Sequence, residues 1–510
     1  MILLNLVLWL PFAGFAALLL APRAREEAIR RVALGVSLGV FILSLGLLAG
    51  FDRNTAAFQL ATDLPWIASP AIRYHIGIDG VSLWLVLLTT LLTPLGVLVS
   101  WRHIDKRVKE FFAFFLLMEF GLIGVFVSLD LFVFYVFWEV SLVPMYFLIG
   151  VWGHERRIYA AVKFFLYTMT GSVLMLAGII YLYNRAGTFD YCTLTEMMWN
   201  GRLSLDRIEQ TALFLGFFAA FAIKVPIFPL HTWLPDAHVE APTAGSIMLA
   251  SVMLKMGCYG LLRFCLPMFP SAARSMAPWI VVLAIVGIIY GALVALVQPN
   301  MKKLVAYTSV SHLGFVVLGL FSFTQLGVNG AVYQMLNHGI STGALFALVG
   351  FLYERNHSLE IKDYGGVATP APALATMFLI TSLASMGLPL LNNFVGEYLV
   401  LQGAAQADFR WAVFAAIGVI LSACYMLWLY QRVFYGETPE TVRRHMTDAT
   451  VREWAVMAPL LLMMVWMGTY TQTFMPPITQ ASASILEKAR FNVDFRVERQ
   501  TPRQEVADAR

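Results

Sequence analysis

Seven ionisable side chains stand inside long apolar runs of this chain: Glu119, Glu139, Lys224, Lys255, His312, His338 and Glu397. Glu139 poses the problem most plainly. In FVFYVFWEVSLVPMYFLIG, residues 132–150, it is the only charge in a stretch otherwise suited to hydrocarbon. Insertion scales put the cost of a charged residue at a helix centre at about 2.5–3.5 kcal/mol. The five Glu and Lys residues would together cost on the order of 12–18 kcal/mol. A whole domain is stable by only about 5–15 kcal/mol. Groups so placed have to be paired, hydrated or neutral, and their default reading is a functional pathway.

The chemistry open to such a set is proton transfer. Burial disfavours the charged form of Glu and Lys alike, and a nearby opposite charge restores it. A Glu–Lys pair is then a switch: closed, both members stay charged; open, the lysine gives up its proton readily. Histidine between such groups titrates near neutral pH and relays. Water bridges the remaining gaps. Lys224 and Lys255 have no acid near them in their own apolar runs. Their partners have to come from elsewhere, and Glu139 lies at matching depth. Plainer roles stay open for each residue. Glu119 reads as lying near a run's end, where it anchors at the interface. His312 and His338 each suit a satisfied core hydrogen-bonder, and Glu139 or Lys224 alone a bridge between two helices.

Other chemistry is not visible in the sequence. There is no phosphate loop, dinucleotide fingerprint or metal-spaced Cys/His cluster, so no metal and no cofactor are expected in this chain. Cys192, Cys258, Cys265 and Cys424 read as small packing residues. HTWLPDAHVEAPT, residues 231–243, gathers His231, Asp236, His238 and Glu240. Its prolines argue against an ordered helical ligand face, so it reads as a rigid cap or a proton entry rather than a metal site.

The elements that must position these residues follow from composition. The chain is 59% hydrophobic and 13% charged, with mean hydropathy +0.73. A soluble domain carries about 25% charged residues. Apolar blocks of about 20 residues, the length that crosses a bilayer core, recur at 2–20, 28–50, 81–101, 111–128, 131–150, 158–184, 209–231, 240–267, 274–297, 303–321, 325–353, 369–401, 408–436 and 452–474. The fold class is therefore an all-α polytopic membrane protein of about fourteen spans, with no nucleic-acid footprint. The connections 51–80 and 185–208 are long enough for surface helices, and a polar tail from about Glu487 reads as loosely ordered. The first apolar run lacks a preceding basic segment and reads as a retained span. Basic clusters such as Arg23, Arg25, Arg30 and Arg31 follow odd-numbered spans, with Lys302 and Lys303. Scattered ones such as Arg53, Arg73 and Arg263 follow even-numbered spans. The positive-inside rule then puts both termini outside.

Two spans carry breaks. Pro226 and Pro229 follow Lys224 in span 7; Gly387 and Pro389 precede Glu397 in span 12. An internal proline removes a backbone bond and clashes with the preceding turn, so each span reads as two half-helices. Broken helices at matching positions of two inverted halves mark transporter folds. The expected division is 1–110 for the first three spans, 111–267 and 268–436 for two five-helix repeats (spans 4–8 and 9–13), and 437–510 for the last span and tail.

FWEVSLVPMYFLIGVWG, IKVPIFPLHTWLPDAHVEAPTAGSIMLASVMLKMGCYG, KKLVAYTSVSHLGFVVLG and LNHGISTGALFALVGFLYER resemble the antiporter-like membrane subunits of respiratory complex I, the proton-translocating NADH–quinone oxidoreductase. Among these the chain is similar to the chain M or subunit 4 type, because broken span 12 bears Glu397 where the chain N type and many antiporter relatives bear lysine. The resemblance implies a translocase subunit with Glu139 and Lys224 as the coupling pair. Lys255 would be the central relay, His312 and His338 the link between halves, and Glu397 the terminal site; Glu119 would match an acid found in many of these subunits and be a further proton-transfer residue. It also implies that FMN, iron–sulfur clusters and quinone belong to partner subunits. The partners would be other complex I subunits, including neighbouring antiporter-like ones, and membrane lipid. The setting would be a bacterial inner membrane. A multi-chain cation/proton antiporter or a membrane-bound hydrogenase shares this pattern and is the second reading; a structural scaffold, the third, fits the buried charges poorly.

Overall fold

Apolar length sets the architecture. In the computed structural model, which describes residues 1–490, twelve helices are long and apolar enough to cross a membrane. Two interrupted ones complete the expected fourteen. Span 7 is Arg207–Lys224 followed by Trp233–Glu240, and span 12 is Pro372–Ser385 followed by Asn392–Ala407. Helix starts are capped where the sequence offers an acceptor. Asp130 accepts from the Phe132 and Val133 amides ahead of span 5 (Leu131–Trp152), and Asp206 forms a capping box with Glu209 ahead of span 7.

The spans sort into an inner and an outer set. Spans 8 (Thr243–Met268) and 11 (Gln325–Asn356) are buried throughout, and 3 (Ser82–His103), 4 (Val108–Val127) and 10 (Met301–Phe321) nearly so. Spans 1, 2, 6, 13 and 14 are each buried over only 28–39% of an 18-residue apolar stretch, presenting residues such as Ile42, Leu166, Ile420 and Leu462 on the surface suited to lipid. Helices are required here because hydrocarbon offers no partner to an open backbone group.

Both breaks fall where the prolines and glycine place them. Each opens with an amide reaching back five residues, Ile227 to the Ala222 carbonyl at 2.8 Å and Leu388 to the Leu383 carbonyl at 3.0 Å. Gly387 turns at φ +77°, a conformation open to glycine. Span 8 is irregular in another way. Two π-helical stretches, Leu249–Met253 and Leu261–Cys265, flank the α-helical turn pair Leu254–Gly260 that carries Lys255. Such widened turns redirect side chains and release backbone groups.

Two sets of backbone contacts repeat along the chain. The Leu131 amide donates to the Phe189 carbonyl and the Tyr191 amide to the Leu129 carbonyl. Met301 to Leu359 and Ile361 to Pro299 repeat this pattern 170 residues later. The matching bridges are Asp130 with Asp190 and Asn300 with Glu360. They tie the start of span 5 to the end of span 6, and the start of span 10 to the end of span 11. An odd and an even span run in opposite directions, so the two ties lie on opposite faces of the bundle.

The connections depart from expectation in two places. Residues 51–80 hold no surface helix but an antiparallel hairpin, Gln59–Ile67 paired with Ile72–Ile78. The sequence signal is a Ser-Pro turn between two β-branched and aromatic stretches. After span 14 (Val451–Thr469) the chain forms a helix, Met475–Arg490. The Glu487 region is thus helical as far as Arg490, and the rest of the tail lies outside the described residues. This helix docks on span 11 through Asn329 Nδ2 to Thr479 Oγ1 (3.0 Å) and crowds Gly80 just ahead of span 3, where a Cβ would meet the Pro477 carbonyl oxygen at 1.9 Å. The 185–208 connection does hold a surface helix, Tyr191–Trp199.

Candidate functional site

The buried inner spans bring four of the seven residues into one line. Lys255 Nζ sits 2.6 Å from His338 Nδ1 and donates to the Ala250 carbonyl at 2.5 Å, within the first π stretch. The His338 and His312 rings lie 5.9 Å apart, edge to face. His312 Nδ1 then meets Glu397 Oε1 at 2.8 Å. The line runs from span 8 through spans 11 and 10 to the second half of span 12, and all four side chains are buried.

Polar neighbours that the sequence reading passed over support it. Gln334 Nε2 donates to Glu397 Oε1 at 3.0 Å. Tyr425 hydroxyl and Ser385 Oγ approach His312 Nε2 at 3.3 and 3.5 Å. Asn393 Nδ2 donates to Ser341 Oγ and to the Ser385 carbonyl across the span 12 break. Isolated amides and hydroxyls in apolar spans carry weak sequence signals, because only convergence from several helices gives them meaning. Span 12 approaches closely enough for this because residue 396 is glycine; a Cβ there would stand 2.4 Å from Gln334 Oε1.

The other three residues stand apart. Lys224 is buried with no hydrogen-bond partner for Nζ, which lies 5.1 Å from the centroid of Phe164 and 5.7 Å from that of Trp138. No ion pair joins it to Glu139 among the described residues, and Glu139 Oε1 also lacks a protein partner. Lys255, for its part, pairs with an imidazole and not with an acid. Glu119 is not near a span end: it falls mid-way along Val108–Val127, fully buried, with both carboxylate oxygens unpartnered. An interface anchor is thereby excluded. Spans 7 and 8 meet at the break, where a Cβ on Gly257 would stand 2.8 Å from the Phe221 carbonyl. That close approach packs the Lys224 end of one helix beside the Lys255 turn of the next.

The 231–243 segment is helical over much of its length, although its prolines argue against a helical face. Trp233–Glu240 is the second half of span 7, with Pro235 in its first turn, where a missing amide costs nothing. Asp236 pairs with Lys163 at 2.7 Å, and Glu240 accepts from the Arg156 amide. His238 is buried and stacks on Phe346 at 4.5 Å, with neither ring nitrogen partnered. Two basic residues assigned to loops are interior as well. Lys302 is buried and donates to the Ala241 carbonyl at 2.7 Å, and Arg263 lies within span 8. Tertiary structure also groups His75, Asp190 and Cys192 outside the spans, their ligand-type atoms within 4.8 Å. An ion pair (His75 Nδ1 to Asp190 Oδ2) and the Asp190 helix cap account for that cluster.

Comparison with known proteins fits this geometry. Residues 128–423 match the family described as NADH:quinone oxidoreductase/Mrp antiporter, TM, and residues 54–128 match NADH-ubiquinone oxidoreductase chain 4, amino terminus. The NADH-quinone oxidoreductase subunit M of Rhodobacter capsulatus is 48% identical over 92% of this chain and 93% of its own. Among solved structures, respiratory complex I from Thermus thermophilus contains a chain with TM-score 0.85 and 34% identity, covering 95% of this chain and 99% of that one. The Mrp complex from Dietzia sp. shares the fold, with TM-score 0.82 at 20% identity over 96% of this chain and 99% of that one. The fold, the two broken spans and these matches together show that the chain belongs to the NADH:quinone oxidoreductase/Mrp antiporter family of membrane subunits, among the relatives named subunit M or chain 4.

Proposed function

We propose that this chain is a proton-translocating subunit of a NADH–quinone oxidoreductase, moving protons along Glu139, Lys224, Lys255, His338, His312 and Glu397. The observation that carries the reading is the line from Lys255 to Glu397, two short contacts joined by facing imidazoles. Each of these four side chains can both give and take a proton, and all four are buried within the bundle. Glu139 and Lys224 form its switch end. The gap between them fits a pair that opens and closes, with Lys224 Nζ and Glu139 Oε1 each left without a hydrogen-bond partner. Electron transfer, with FMN, iron–sulfur clusters and quinone, belongs to partner subunits in this reading, and the chain supplies proton transfer in a bacterial inner membrane. The repeated backbone ties support 111–267 and 268–436 as inverted repeats, and the loop charges support termini outside.

His338→Leu tests the line at its middle. It removes the imidazole that meets Lys255 Nζ at 2.6 Å and lies edge to face with the His312 ring. Proton pumping per electron in vesicles of matched assembly is expected to fall several-fold, with assembly retained. Parent-level pumping would show that His338 is a packing residue. Copurification of NADH-oxidising subunits with a tagged chain separates this reading from a stand-alone antiporter, which would bring down only small membrane partners.

The breaks make a further prediction. If they open the line to water, Pro226→Ala and Pro389→Ala extend each helix across its gap and dry it. Turnover is expected to drop in both variants with normal subunit content on native gels. Unchanged turnover in both would assign the prolines to packing alone.

A further inference from the structure

One buried charged group takes no part in the line described above. Arg263 lies eight residues beyond Lys255 in span 8, about 12 Å along the axis, and its guanidinium is ion-paired with Asp79 Oδ2. Both side chains are almost fully buried. Asp79 is fixed from its other oxygen, which accepts from the Val81 and Ser82 amides at 3.1 and 3.0 Å ahead of span 3. Burial alone would raise its carboxyl; the Arg263 guanidinium and Ser82 instead hold it below the usual carboxylate range. Tyr259 stands between the two basic residues, one turn from each. Arg263 Nε donates to its hydroxyl at 3.3 Å, and that hydroxyl donates to the Phe126 carbonyl at 3.2 Å. Phe58 from the hairpin connection closes over the guanidinium at 4.9 Å.

Beyond Arg263 the bundle ends at a surface pocket of about 800 Å³, lined by Met268, Ser271, Thr195 and Lys488 among others. Burial and the neighbouring guanidinium keep the Lys488 ammonium below the usual lysine range. Lys255, Tyr259 and Arg263 therefore share one face of span 8, and that face points from the centre of the proton line toward an open pocket. Buried pairs are often no more stabilising than apolar side chains of the same size.

We infer that Arg263, clamped by Asp79 and Tyr259, is an electrostatic seal that keeps protons on Lys255 from escaping to the pocket beside Lys488. A fixed guanidinium stays charged under all physiological conditions and repels a proton or hydronium approaching along the helix face. Asp79 holds it in the path and satisfies it. Arg263 is thus a positioning and barrier residue, and it exchanges no proton itself. The inference rests on the proposed role of Lys255.

The test uses the purified complex in proteoliposomes carrying an imposed pH gradient, with no NADH, and follows the gradient's decay with a trapped pH dye. Two neutral pairs remove the charge while keeping volume, Asp79→Leu with Arg263→Met and Asp79→Asn with Arg263→Gln. Decay is expected to be several-fold faster than in the parent for either pair, and Lys255→Met in the same background should return it to the parent rate. Asp79→Asn alone keeps the cation and should not leak. Parent-rate decay in the neutral pairs would overturn the seal. A leak that ignores Lys255→Met would overturn its connection to the proton line. Failure of both neutral pairs to assemble would mark Asp79 and Arg263 as a folding element and overturn the assignment. Because decay is read without turnover, a failure of the pumping reading would appear separately, as parent-level pumping in His338→Leu.

Discussion

Glu397→Gln is expected to lower this subunit's proton transfer by about a hundredfold or more, the scale on which positioned acid–base groups act, and to reduce coupled quinone reduction with it. The amide preserves shape and can still meet Gln334 and His312, so assembly should survive with a stability cost of about 1–3 kcal/mol. Glu397→Lys is the sharper variant. The Glu397 oxygen Oε1 accepts from Gln334 Nε2 at 3.0 Å and lies 2.8 Å from His312 Nδ1. An ammonium offers three donors and no acceptor, so it would face the Gln334 amide donor with donors while placing a cation beside the imidazole. It is expected to fail although it titrates. The measurement is proton pumping per electron in membranes with matched subunit content. Parent-level pumping in Glu397→Gln would end the line at His312. Full activity in Glu397→Lys would show that only titratability matters and that the sign of the charge does not.

Glu139→Gln is expected to have an effect of similar size at the other end. Lys224 has no hydrogen-bond partner and rests among aromatic rings. Ring faces contribute about 0.5–2 kcal/mol to a cation, too little to hold an ammonium in a low-dielectric interior without a counter-charge. Removing the nearby Glu139 carboxylate is therefore expected to disable the proposed switch. Assembled enzyme with severely reduced pumping is the expected result, and Glu139→Asp should keep part of the activity through a shorter reach. Undiminished pumping in Glu139→Gln vesicles would exclude the pair as the switch.

Much of the fold was legible because hydrocarbon is a strict solvent. A run of about 20 apolar residues has one stable form across a bilayer, so all fourteen spans could be placed from composition. Proline and glycine, acting through local backbone geometry, marked both breaks. The seven ionisable residues were equally visible, since each is an expensive exception in its run. The hairpin and the Met475–Arg490 helix were less so. They lie at the surface, where polar residues are cheap and their pattern is weak.

Depth in the bundle and partnership across it were decided by tertiary structure alone. A charge near the end of an apolar run looks like a loop residue, yet Arg263 and Lys302 are interior because neighbouring helices extend past them. Glu119 looks peripheral in the sequence and is central in the bundle. Lys255 seemed to require an acid and instead found His338, a contact between residues 83 positions apart. Nothing local to either residue encodes that choice. It follows from the packing of spans 8 and 11, both buried throughout, and from the π turns that aim Lys255 between its neighbours. Residue type thus determined that this protein carries protons' usual donors and acceptors through a membrane, while helix packing determined which of them touch, because a hydrogen bond is a matter of about 3 Å and only the folded bundle sets distances that short.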